Sequence, residues 1–328
     1  MHQAVCAERA VAQLATPPAS PASYRIILSR LTRHQLSSED TPSPPPPPPP
    51  PPPTLVSVST TFHPATQHNT LLPDTILISA DSVFFYVHSH ALLAASTNAF
   101  HALLPAPPCK HADPIIPLDD SSPVLNILLH AIYDISCTHY MPSFSDIAAA
   151  VARLSFYGID STSALAPATP LFELLLSQAP LYPIDLYTLA ASLDLYDLAV
   201  AASPHLLSFS LSSLTDEMAA AIGPIYLKRL FFLHFGRTDA LKRILLPPPH
   251  PHPPTDACDF SDQKTLTRAW ALASAYLAWD ARPDLSIGSI EAALRPLEGR
   301  LNCPDCKQAL RDRIKDLVVE WSIVRRTI

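Results

Sequence analysis

The sequence predicts an α+β core followed by an all-helical region, and three observations carry that expectation. Two short apolar runs, Thr75–Ala80 and Val83–Val87, flank a polar break at Asp81-Ser82, the pattern of a β-hairpin. After Val87 the apolar period changes, and Leu92, Leu93 and Ala95, then Ala99, Phe100 and Leu103, fall at helical spacing. From Ser121 to the end of the chain, helix caps and helix breakers recur in alternation.

The break in the hairpin lacks Asn-Gly or Asp-Gly, so the turn type stays open. Ser96-Thr97-Asn98 is placed to cap between two short helices, giving a helical hairpin packed on the strands. A short strand is expected at Pro114–Leu118. Ser122 then caps a helix with Pro123 at its first position and Leu125, Leu128, Leu129 and Ile132 as its stripe. Ser143 with Asp146 makes a capping-box pattern before Ile147–Leu154, and Gly158 follows as a stop. Leu171–Leu176 reads as helix, and Pro180 and Pro183 break the chain. Two helices follow, Tyr187–Leu193 and Tyr196–Leu207, separated near Asp194.

Beyond these, Leu214–Ile222 is stopped by Gly223-Pro224, Ile225–Phe235 ends at Gly236, and Thr238–Leu246 runs into Pro247–Pro249. Gln263–Asp280 places Leu266, Ala269, Trp270, Ala273, Tyr276 and Leu277 on one face. The last helix, over 304–326, spaces Leu310, Ile314, Leu317, Trp321, Val324 and Ile328 by alternating fours and threes. That seam is only three heptads long, which favours packing on its own domain over a coiled coil.

At these residues the chain resembles the BTB/POZ interaction domain. The resemblance rests on Asp74 opening the first strand, Phe84 and Phe85 in an aromatic-rich second strand, Val87-His88, then Leu92 and Ser96. The aromatic that the family places three residues after the Ser falls at Ala99 here, with Phe100 one later. In the family a third strand leads to a helix ending near an aromatic, as Asp119-Asp120-Ser121-Ser122 and the run to Ile132-Tyr133 do here. The likeness covers about 60 residues and extends more loosely to about Leu207. There the string from Leu189 to Ala199 is similar to the family's closing helix pair, one residue shorter and without its basic residue. Trp279 to Leu285 resembles part of the all-helical tail of fungal BTB proteins.

The resemblance implies a BTB/POZ-like hairpin and helical core, with structural roles for Asp74, Phe85, Val87, His88, Leu92 and Ser96. It implies a non-enzymatic adaptor or scaffold whose partners are other proteins, itself included as a homodimer. Some relatives recruit cullin-3 ubiquitin ligases and others transcriptional complexes, but no clear cullin-contacting motif stands in this chain. The segment that exchanges in family dimers lies before Asp74, and here it is rich in Pro and Thr.

The expected organisation is a disordered tail over 1–70, a BTB/POZ-like domain with a helical extension over 71–210, and a helical C-terminal domain over 211–328. Residues 1–36 carry four Arg against one Glu, with a weakly amphipathic Tyr24–Leu31. A disordered tail fits them better than a mitochondrial presequence. Pro44 to Pro53 is an unbroken polyproline run, a rod of roughly 30 Å. It offers a ligand for SH3-, WW- or profilin-type partners, or a spacer. The missing basic flanks favour the spacer. Leu55–Phe62 is β-prone enough for an edge strand.

Glycine gives the sharpest exclusion. Only five are present, at 158, 223, 236, 288 and 299, and no two lie closer than eleven residues. GxxxxGK, GxGxxG and GxSxG are therefore all absent, which removes most nucleotide-binding and α/β-hydrolase readings. Residues 74–224 hold 2 basic and 14 acidic side chains, whereas 225–328 hold 16 and 12. An acidic body of that kind repels a phosphate backbone, so no nucleic-acid partner is expected for it. In the C-terminal part the basic residues alternate with acids, as on solvated helix faces. There is no run of 18 apolar residues, so no membrane partner is expected. The scattered Cys and the lack of a signal-peptide core fit a reducing, cytoplasmic or nuclear setting.

No catalytic residues and no cofactor are expected. His88-Ser89-His90, with His101 nearby, has metal-ligand spacing, but a structural His at a strand–helix junction is the better reading. Cys303-Pro304-Asp305-Cys306 puts a thiol at a helix cap, where its pKa falls, without the βαβ context of a redox pair. Zinc needs two more ligands, and Cys258 with His250 or His252 are the only local candidates. One CxxC is weak support. The expectation is two reduced thiols, no bound metal, and a melt that a chelator leaves unchanged.

Overall fold

Four β-prone stretches pair into one small sheet, in the order β1-β3-β2-β4, and helices make up most of the rest. This computed structural model describes residues 56–66, 71–104 and 115–328. The tail and polyproline readings over 1–55 lie outside the described residues. The chain divides into two units, one of 1–133 with 149–160 and the other of 134–148 with 161–328.

In the first unit β2 (Thr75–Ile78) and β3 (Val83–Val87) form the antiparallel hairpin, with Leu77 opposite Phe85. The turn is closed by Ser82 N–H donating to the Ser79 carbonyl at 2.9 Å, and Ser82 takes the left-handed φ of 64°. β4 (Ile115–Pro117) adds parallel to β2, and β1 (Ser57–Val58) adds parallel to β3 on the other side. Thr75, Leu77, Phe85 and Val87 are buried while their neighbours are less so, the period-two pattern of a sheet covered on one face. The residues that complete this core are Leu92 on α1 (Ser89–Ala95), Phe100 on α2 (Ala99–Ala102), Leu125 and Leu129 on α3 (Ser122–Ile132), and Leu154 on α4 (Phe144–Phe156).

The turn α2 differs from the right-handed helix that the spacing predicts. Ala99 to Ala102 all have φ between 53° and 58°, a left-handed turn. Each such residue costs roughly 1–2 kcal/mol. Three contacts offset this. Ser96 Oγ accepts the Phe100 N–H at 2.7 Å, Asn98 Oδ1 accepts the His101 N–H at 2.8 Å, and the Phe100 ring is fully buried, stacked on Tyr157. The aromatic of this stretch is therefore Phe100, not position 99.

One buried carboxylate ties the unit together. Asp120 accepts from Arg153 Nε at 2.6 Å and Nη2 at 3.2 Å, and from the Tyr157 hydroxyl. Its carbonyl takes the Ala80 N–H beside the hairpin turn.

The second unit is helical. It holds α5 (Ser161–Ala164), α6 (Pro170–Ser177), α7 (Pro183–Ser192), α8 (Tyr196–Ala202), α9 (Asp216–Leu245), α10 (Phe260–Trp279), α11 (Ile287–Leu294) and α12 (Pro304–Ser322). Gly223 breaks α9 with φ 74° and ψ 163°, as Gly223-Pro224 predicts, whereas Gly236 lies inside the helix and does not stop it. Ser143 Oγ accepts the Asp146 N–H at 3.2 Å, the contact anticipated at the start of α4. The seam of α12 packs within its own unit. Leu310, Ile314, Leu317 and Trp321 are buried with Leu241, Leu266, Trp270 and Ile290. Arg313 reaches the carbonyls of Ile244 in the last turn of α9 and Pro247 just past it, and Arg237 reaches those of Val324 and Arg325 past the end of α12. Both are cations placed at helix C-termini.

Two expected boundaries move. The helices over 161–210 belong with the C-terminal region: Tyr187 donates to the Tyr226 carbonyl at 2.8 Å, Tyr226 to Asp194 at 2.7 Å, and Ile328 N–H to Ser203 at 3.2 Å. The division therefore falls near 160, not 210. The start moves as well. β1 pairs with β3, the Tyr86 N–H donates to the Phe62 carbonyl, and the Phe62 ring is buried 5.1 Å from His130 and 5.3 Å from Tyr133. Residues 56–66 thus belong to the folded unit, and the tail reading cannot extend to 70.

Removing so well packed a ring costs about 3–5 kcal/mol. Phe62→Ala should lower the chemical-denaturation midpoint accordingly. A chain beginning at Leu71 should melt well below one beginning at Leu55, and equal melts would show that β1 and Phe62 add nothing.

Candidate functional site

The residues singled out in the first unit gather around the strand–helix junction. His88 is 2% exposed, and both its ring nitrogens are engaged. Nε2 lies 2.9 Å from the Leu71 carbonyl, which can only accept, so Nε2 bears the proton. Nδ1 accepts from the Tyr133 hydroxyl at 2.9 Å, while the same hydroxyl takes the His88 backbone N–H at 2.8 Å. Burial pushes the Tyr133 phenol up to about 12, so it stays a donor at any physiological pH. His90 is exposed on α1. His88 therefore has no nitrogen left for a metal. Phe85, Val87 and Leu92 are core side chains. Ser96 donates to the Tyr157 carbonyl at 2.6 Å and fastens the left-handed turn to the end of α4.

Asp74 does a different job. Its carboxylate accepts the Ser89 N–H at 2.6 Å and the Ser89 hydroxyl at 2.5 Å, capping α1 from outside the helix. Asp81, at the other end of β2, does the same for α3, accepting the Ser122 N–H at 2.7 Å and its hydroxyl at 2.6 Å. The two ends of one strand thus hold the starts of two helices. Burial alone would raise both carboxyls, but the Ser hydrogen bonds outweigh it and hold them below the ordinary value.

In the second unit four chemically active side chains meet. His252 Nε2 is 3.3 Å from Cys306 Sγ and 3.4 Å from Cys303 Sγ, Cys258 Sγ is 3.7 Å from Cys306 Sγ, and all four atoms lie within 4.8 Å of one another. Cys303 is the N-cap of α12, Pro304 starts the helix, and Cys306 sits in its first turn. Cys258 precedes the capping box of Asp259 and Asp262 that opens α10. It also closes a tight turn with Thr255 through hydrogen bonds of 2.9 and 3.1 Å. His252 rides on the proline-rich loop, which Gln263 holds by donating to the His252 carbonyl at 3.0 Å. Backbone N–H groups of Cys306 and Asp305 pull the Cys303 thiol down, whereas burial pushes the Cys306 thiol up to about 12 and raises Cys258. The expectation of two reduced thiols rested on a single CxxC being weak support; the fold brings two of the named candidates, Cys258 and His252, to that motif. His250, the other candidate, is exposed.

Leu207, Ser210, His234, Arg282 and Asp284 line a groove in the second unit. His234 Nε2 is buried there without a hydrogen-bond partner, and burial lowers the ring's pKa. No acid or hydroxyl bonds to that nitrogen, so no general-base pair is formed. Among the described residues no helix is long and apolar enough to cross a membrane. Comparison of the chain with protein-family models, with curated proteins and with solved structures finds no match.

Sequence reasoning missed the Asp81–Ser122 clamp, the Tyr133 partner of His88 and the Asp120–Arg153–Tyr157 group. A signal was present for the last, because Arg153 and Lys110 are the only basic residues between 74 and 224.

Two outcomes follow from this geometry. His88→Ala removes the ring contacts to the Tyr133 hydroxyl and the Leu71 carbonyl and should cost about 1–3 kcal/mol in a denaturant melt, while His90→Ala should cost little. Asp74 and Asp81 have depressed folded pKa values, so their contribution is full above the unfolded value of about 4 and is lost as pH falls through the folded values. Melting temperature should therefore drop below about pH 4. Asp81→Asn should be less stable at neutral pH and show a flatter decline in acid. An identical acid limb in the two proteins would remove Asp81 from this role.

Proposed function

We propose that the chain is a non-enzymatic protein–protein interaction module of the BTB/POZ type, serving as adaptor or scaffold. One observation carries the reading. The aromatic at the end of the helix after the third strand, Tyr133, turns back to bond the His88 that the resemblance marks, across 45 residues. The order of elements supports it too: an antiparallel hairpin, two short helical segments, a strand parallel to the first, then a helix. The scarcity of glycine weighs against the nucleotide-binding and α/β-hydrolase classes of enzyme. A protein partner suits the surface at the start of α1. Leu72 is 79% exposed beside Leu71, whose carbonyl is bonded to His88, and Leu93 of α1 is also exposed.

The partner is another protein, with a second copy of this chain as the first to be tested. Sedimentation and crosslinked affinity purification of the full chain should be compared with a Leu72→Asp/Leu93→Asp variant of unchanged melting temperature. The reading requires self-association, or a stoichiometric protein partner, that the variant loses. A monomer with the same partners in both forms would overturn it.

A further inference from the structure

The His252, Cys258, Cys303 and Cys306 cluster has the dimensions of an inorganic site. Zinc binds thiolate at about 2.3 Å and imidazole at about 2.0–2.1 Å in a tetrahedron, which sets S···S edges at about 3.8 Å and S···N edges at about 3.6 Å. Three of the six edges are 3.7 Å between Cys258 and Cys306, and 3.3 and 3.4 Å from His252 to Cys306 and Cys303, and the other three lie within 4.8 Å. A disulfide would need about 2.05 Å, so these sulfurs are not bonded to one another.

The imidazole carries a second, independent indication. His252 Nδ1 lies 2.7 Å from the Pro253 carbonyl, which accepts only, so Nδ1 holds the proton. Nε2 is then left with its lone pair facing the sulfurs. Metal-bound histidines are fixed in this way, by a backbone carbonyl on the far nitrogen. A thiol S–H can donate to such a lone pair too, but one imidazole nitrogen and three sulfurs converging within 4.8 Å make the full donor set of a metal site.

We propose that these four residues bind one Zn²⁺ as a closed, structural Cys3His site. Three thiolates and one imidazole form a soft donor set that selects zinc over calcium or magnesium. Four protein ligands leave no position for substrate, so the ion supports the fold and performs no catalysis. Binding sends three thiol protons to solvent and leaves the site with a net charge of −1. The ion joins the loop carrying His252, the start of α10 and the start of α12. Cys258 and Cys306 already lie in the hydrophobic core of that unit. This inference is independent of the interaction reading and would survive its failure.

The test is elemental analysis of the full chain, purified under reducing conditions without a metal-affinity tag. One zinc per chain is expected, together with a fall in melting temperature on chelation, because a ligand that binds only the folded state stabilises it. Exchange with Co²⁺ should give the intense absorption of a tetrahedral thiolate site. Cys303→Ser and His252→Ala, at the less buried positions, should each lose stoichiometric zinc, and His250→Ala should keep it. Parent protein with only traces of zinc, no Co²⁺ band and a melt indifferent to chelator would overturn the proposal without any variant. Zinc lost from His250→Ala but retained by His252→Ala would overturn the ligand set.

Discussion

A carboxylate taken out of water costs several kcal/mol unless its charge is met and its lone pairs are filled. Asp120 is the one acidic residue among the described residues to be so buried, and the first unit is arranged around meeting that demand. Arg153 meets it with a fork of two N–H donors, and Tyr157 adds its hydroxyl. Since Arg153 lies in the last turn of α4 and Tyr157 directly follows the helix, one turn on, the charge fixes that helix end in both rotation and height. The same Tyr157 stacks on Phe100, so the left-handed turn inherits its position from the ion pair. The Arg153 guanidinium also lies 4.0 Å from the centre of the Phe156 ring, a cation–π contact.

Strands add a second kind of order. β2 lies between β3 and β4 and is flanked by two aspartates that each seize the first turn of a helix. Because both contacts start from one rigid strand, the spacing of α1 and α3 follows from the length of β2. The second unit reaches comparable rigidity by other means. Its buried arginines each serve the spent carbonyls of a helix end, and its two buried indoles donate to the carbonyls of Leu245 and Leu285.

What could be read in the sequence divides along the range of the interaction. The hairpin, the caps at Asn98 and Ser143, the break at Gly223 and the seam of α12 depend on near neighbours, and their positions agree with the structure. The domain boundaries did not come out so well, because they depend on where Phe62 and Tyr187 find partners far along the chain. Gly236 misled because a glycine inside a helix costs only about 1 kcal/mol relative to alanine, which the rest of α9 outweighs. At the thiol cluster every ligand type was visible in the sequence. Their convergence was not, since a loop of prolines gives no hint of its direction.

That loop has a further consequence. Six of the eight residues from Pro247 to Pro254 are proline, so the backbone on either side of His252 has few conformations even in the unfolded chain. The imidazole is delivered on an arm that surrenders little freedom when it docks against the three sulfurs. Drift of these prolines toward flexible residues would weaken that docking while every side chain that touches the cluster stayed the same.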